Sequence, residues 1–208
     1  MSIRYGPALQ IHEIGVGCIL WLPPYSDFNG DCRPLCERQT CMPRHSLDEN
    51  GFDHPVVVLN TYDLSDSIPS IQFLTLTSKN LSNRGYSTPL RHGSLSQVGT
   101  NYSLESRQNL LVASHFRLEH TFKLNLSRFD AYDWGQAKPY DYRLTHQSYK
   151  RLMKNLGLDA NYFHPTSDIK KGLLQAPPPA PPPLPQQLQI MNRRRENNLY
   201  AYLELEEC

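Results

Sequence analysis

Apolar residues in this chain come in short runs separated by long polar stretches, and the runs predict the elements. The first lies in GVGCILWLPP (15–24), where β-branched and aromatic residues are stopped by Pro23 and Pro24; it reads as a buried strand. The second, PVVVL (55–59), is continuous rather than alternating, which predicts a strand buried on both faces. The third, IQFLTLTS (71–78), sets Phe73, Thr75 and Thr77 on one face and Gln72, Leu74, Leu76 and Ser78 on the other. Two more strands are expected around 110–113 and 121–126, the latter with Phe122, Leu124 and Leu126 on one face.

The spacing changes at 145–157. Tyr149, Leu152, Met153 and Leu156 recur at i, i+3, i+4 and i+7, which predicts an amphipathic helix. Thr145 is its expected N-cap, with Ser148 as the alternative, and Gly157 its C′ residue. Lys150, Arg151 and Lys154 fall on the outer face and in the last turn, where they suit the helix dipole. Strands come consecutively and a helix follows, so the expected class is α+β, mainly β: a small barrel with a C-terminal helix, not a doubly wound sheet. The expected organisation is a lead-in (1–13), a body (14–160) with long loops at 25–53 and 79–106, a linker (161–185) and a tail (186–208). APPPAPPPLP at 176–185 is extended polyproline II, either a stiff spacer or a ligand for an aromatic-grooved partner protein.

Composition narrows the function classes. Net charge is +1, so no global field drives nucleic-acid binding, and any such binding needs a local patch. The longest apolar run near the start is too short to span a bilayer and lacks a small-residue cleavage site. An intracellular protein, cytoplasmic or nuclear, with reduced thiols and no membrane contact is the expectation. The odd cysteine count, five, is no disulfide framework. CRPLCERQTCMPRH instead spaces Cys32, Cys36, Cys41 and His45 as C-x3-C-x4-C-x3-H, a ligand set suited to structural zinc, with free thiols in a loop as the alternative. The serine-hydrolase elbow G-x-S-x-G and the phosphate loop G-x-x-x-x-G-K are both absent. The aromatic cluster YDWGQAKPYDYR (132–143) suits either base stacking or the covering of a core edge.

The order of parts is similar to the MazF/PemK-like toxins. A glycine leads into the Trp-containing strand GCILWLPP; a long loop follows, then HPVVVL, then a strand ending LTS, and later a C-terminal helix. The resemblance covers about 14–157. It implies an SH3-like barrel, a homodimer, and metal-independent cleavage of single-stranded RNA with no cofactor required. Residue by residue, it places His54 where the family has an arginine before Val-Leu-Val, and Thr77 where the family has the threonine of Ile-Thr-Ser. The acidic residue of the family's Gly-Asp is missing, since Gly17 is followed by Cys18.

On that implication His54 is the general acid or base, and Thr77 holds the phosphate. Histidine moves protons near neutral pH but lacks the bidentate grip of a guanidinium. Ser78, Lys79 and Arg91 are the candidates for phosphate or RNA binding. The plain alternative makes His54 a loop-to-strand junction residue, biased to extended geometry by Pro55, and Thr77 a β-former at a strand end. The functional alternative is a non-catalytic interaction module using the cysteine-containing loop and the proline-rich run.

Overall fold

Strand β1 (Ile19–Leu22) starts just after Gly17, whose φ of 86° is left-handed, and stops before Pro23. The computed structural model describes residues 8–28, 33–62, 69–78, 87–89, 102–106, 110, 114–133 and 137–173. After two short 3-10 turns, Tyr25–Phe28 and Glu49–Gly51, the chain enters β2 (His54–Tyr62) through Asp53. Asp53 has φ 59°, a left-handed conformation that aspartate tolerates better than most residues. Strands β3 (Ser70–Thr77), β4 (Ser87–Pro89), β5 (His115–Arg117), β6 (Phe122–Asn125) and β7 (Asp130–Ala131) follow.

The sheet is antiparallel, with order β4-β5-β3-β2-β1-β7. The outer edge of β3 is shared. β5 pairs with Leu76 and Thr77, and β6 with the stretch from Ser70 to Phe73. A 3-10 turn, Leu126–Arg128, joins β6 to β7, which pairs with β1. The fold class is thus α+β and mainly β, as the strand runs predicted.

Both faces of the central strands are apolar, which is why PVVVL reads as unbroken. On one face Val57, Leu59, Leu74, Leu76 and Phe116 pack with Tyr149, Leu152, Met153 and Leu156. Those last four belong to helix α1 (His146–Leu156), capped by Thr145, whose hydroxyl accepts from Ser148 N at 3.2 Å, and ended by Gly157 at φ 68°. On the other face Leu20, Leu22, Val56, Val58, Ile71 and Phe73 pack with Phe28, Phe52, Phe122 and Phe129. A register shift between Val58 and Asn60 leaves Leu59 out of the ladder. Its carbonyl accepts the Tyr149 hydroxyl at 2.9 Å instead, so the bulge docks the helix.

Three expectations shift. The strand expected around 110–113 is found at His115–Arg117; Leu110 is buried in the core and 111–113 lie outside the described residues. The loop expected at 79–106 contains β4. The segment 161–173, expected as linker, carries a second helix, α2 (Thr166–Lys170), with Ile169 buried. Arg143, wholly buried, holds that segment: Nε donates to Val16 O at 3.0 Å, and Nη1 to His164 O at 2.8 Å and Thr166 Oγ1 at 2.7 Å. Its guanidinium lies 3.8 Å from the Phe163 ring centre. Met1–Leu174 form one unit and Gln175–Cys208 another. The proline run lies in the second, outside the described residues. Among the described residues no helix is long and apolar enough to cross a membrane.

Candidate metal centre

The segment between β1 and β2 is folded onto itself before it meets the sheet. Cys36 N donates to His45 O at 2.8 Å and Leu47 N to Pro34 O at 2.9 Å, and Leu35 bridges Ser46. This clip then binds the β5–β6 connection. Glu37 N donates to Thr121 O at 2.8 Å, and Arg38 Nη1 donates to Leu118 O at 2.5 Å. Arg38 Nη2 also reaches Leu156 O, at 3.1 Å, at the end of α1. His120 sits in the stretch so clasped, and its ring comes to the cysteines.

Cys36, Cys41 and His120 each offer one ligand atom, and these atoms lie within 4.8 Å of one another: the set can hold a metal ion. Both cysteines are buried free thiols. Cys41 Sγ is 3.6 Å from His120 Nδ1 and 3.1 Å from His45 Nδ1, and the two imidazole rings are 4.9 Å apart. Hydrogen bonds from the His45 N–H and imidazole push the Cys41 thiol below its ordinary value. Burial pushes Cys36 up, and burial with nearby His45 pulls His120 down, keeping that ring a neutral donor of its lone pair. The metal set expected from sequence is therefore changed. Cys36, Cys41 and His45 are together, Cys32 lies outside the described residues, and His120 joins from 75 residues beyond His45. A cleft of about 130 Å³ adjoins the centre, lined by His45, Asp48, Thr75, Arg117, Glu119, His120 and Phe122 among others.

The candidate RNA site is placed differently. His54 opens β2, with Nδ1 2.7 Å from Asp53 O, and it is half-buried. Thr77 closes β3 and is 6% exposed, opposite His115 of β5. Val56 and Thr75 are the last paired residues of β2 and β3 at this end; His54 and Thr77 each lie two residues beyond them, where His54 pairs with Leu22 and Thr77 with His115. The two share one end and one face of neighbouring strands, the face that carries Val56, Val58 and Phe73. None of His54, Thr77 and His115 is among the residues that line the cleft beside the cysteines. Ser78 is exposed just past β3, while Lys79 and Arg91 lie outside the described residues. Of the aromatic cluster, Tyr132 and Tyr142 cover a core edge, Tyr132 packing 4.8 Å from Tyr142 and 6.4 Å from Trp21, while Trp134 lies outside the described residues. No protein-family model matches the chain, and neither a curated protein nor a solved structure matches it significantly.

Proposed function

We propose that the chain is a non-catalytic interaction module in which a zinc ion staples the long β1–β2 segment to the sheet. The convergence of Cys36, Cys41 and His120 from two distant stretches carries this reading. Two thiolates and an imidazole favour zinc over harder cations. Tetrahedral zinc with ordinary bond lengths sets sulfur and nitrogen about 3.6 Å apart, which the Cys41–His120 separation of 3.6 Å meets. The stapled segment presents Leu35 and Met42 to solvent, 52% and 78% exposed, on a backbone whose ordering cost is met before any partner arrives. The proline run at 176–185 would serve the same module as a second protein contact.

The barrel belongs to this reading. A flat sheet would hold β6 and β7 four strand spacings apart, about 19 Å. The five steps from Asn125 to Asp130, three of them in a 3-10 turn, reach about 13 Å. A sheet that satisfies both pairings must curl, which supports the reading as a small SH3-like barrel.

Elemental analysis of purified full-length protein tests the zinc: about one equivalent is expected, and less than a tenth of an equivalent ends the proposal. A second reading, metal-independent cleavage of single-stranded RNA in the manner of the MazF/PemK-like toxins, is favoured by one observation. Thr77 pairs with His115, and His54 stands at the same end of the neighbouring strand β2. The burial of Thr77 weighs against it. Cleavage of an RNA pool in EDTA that His54→Ala abolishes would establish it; intact RNA at high protein excess retires it.

A further inference from the structure

We infer that the metal held by Cys36, Cys41 and His120 keeps its fourth position for a small exogenous Lewis base, water in the resting protein, received by the adjoining cleft. This rests on the metal reading above and adds to it an exchangeable ligand site. Structural zinc sites are closed by four protein ligands, whereas ligand-binding ones keep a position open.

Among the described residues, His45 is the one that would close the site, and its geometry is that of a hydrogen-bond partner. Its Nδ1 is 3.1 Å from Cys41 Sγ, shorter than the separation of about 3.6 Å that shared coordination sets. Its backbone N–H also donates to that sulfur, at 3.5 Å. It falls outside the mutually close set of Cys36, Cys41 and His120, and it is solvent-exposed. His45 thus positions the Cys41 thiolate.

The cleft supplies what a fourth ligand needs. Its volume of about 130 Å³ is well above the roughly 10–15 Å³ that one water needs. His120 lines it, and so does Glu119. Glu119 Oε2 is buried with no hydrogen-bond partner among the described residues, and the nearest cation, Arg117 Nε, is 3.7 Å away, beyond hydrogen-bond reach. A buried carboxylate oxygen without a donor is costly, and a metal-bound water is a strong donor. Exchange is simple substitution: water leaves with its electron pair, the incoming base donates its own, and no redox change occurs.

The test loads the full chain with Co²⁺ and follows its visible d–d absorption during titration with imidazole. A saturable change in the wild-type spectrum at one equivalent of bound cobalt is expected, and His45→Ala should still bind cobalt and respond to imidazole, with weaker cobalt affinity because Cys41 loses its positioning partner. A wild-type spectrum that ignores imidazole overturns the inference. If His45→Ala then responds, His45 is the fourth ligand; the metal reading survives and this one does not. Failure to bind cobalt at all refutes both.

Discussion

On the proposed zinc staple, replacing His120 by alanine removes the ligand that ties the β1–β2 segment to the sheet. The readout is the zinc-dependent part of thermal stability in each protein, so the packing cost of the substitution cancels. Zinc that binds only the folded state, at a free concentration a hundredfold above its dissociation constant, stabilises by about 2.7 kcal/mol. For a unit of Met1–Leu174 that raises the melting temperature by about 5–11 °C. Scanning calorimetry with buffered zinc and with EDTA measures it. Wild type should lose that increment in EDTA, and His120→Ala should show less than about a quarter of it. His146→Ala, at the exposed start of α1, should behave as wild type. Tryptic cleavage after exposed Arg44 should quicken in EDTA, since the loop loses its anchor. An equal zinc increment in His120→Ala and wild type would refute the assignment of His120, because Cys36 and Cys41 would then be closing the site without it.

Arg143→Met should destabilise by about 3–5 kcal/mol in urea unfolding, because the Val16 and His164 carbonyls lose a buried charged donor; a loss under 1 kcal/mol would show that the clasp contributes little. Burial pushes the Cys18 thiol up from 9.0 to about 11. The unfolded chain therefore ionises first as pH rises. The stability contribution is full below pH 9 and is lost on the way to pH 11, an order-of-magnitude loss of about 2–3 kcal/mol. Cys18→Ala should flatten that alkaline decline, and an unchanged slope in chemical denaturation would contradict it. Thr145→Ala should cost about 1 kcal/mol by removing the cap on Ser148 N, read from the urea midpoint; no shift would mean that water takes over.

Local patterns were readable where the residues themselves carry the period. PVVVL is unbroken because it is buried on both faces, and the stripe from Tyr149 to Leu156 faces one side of the sheet. The capping pair Thr145 and Gly157 needs only its own backbone, and both are found in place. The strand at His115–Arg117 escaped because its partner is the end of β3, and three residues carry no period of their own. Helix α2 has five residues, below what propensity can sustain, and it stands because Arg143 grips its first turn and Ile169 is buried.

For the site, the spacing already marked Cys32, Cys36, Cys41 and His45 as candidate ligands, since metal chemistry depends on residue type; of these, Cys36 and Cys41 belong to the close set. His120 gave no signal: a histidine in a short polar break between strands is unremarkable by itself. It enters because Glu37 and Arg38 bond the carbonyls around it, and those bonds exist only once β5 and β6 have paired with β3. Sequence alone determined what could be buried, capped or used as a ligand, because these are properties of side chains and their spacing. Tertiary structure decided which ligands meet and that Thr77 is covered, because distance across a sheet is set by pairing register, which no local window contains.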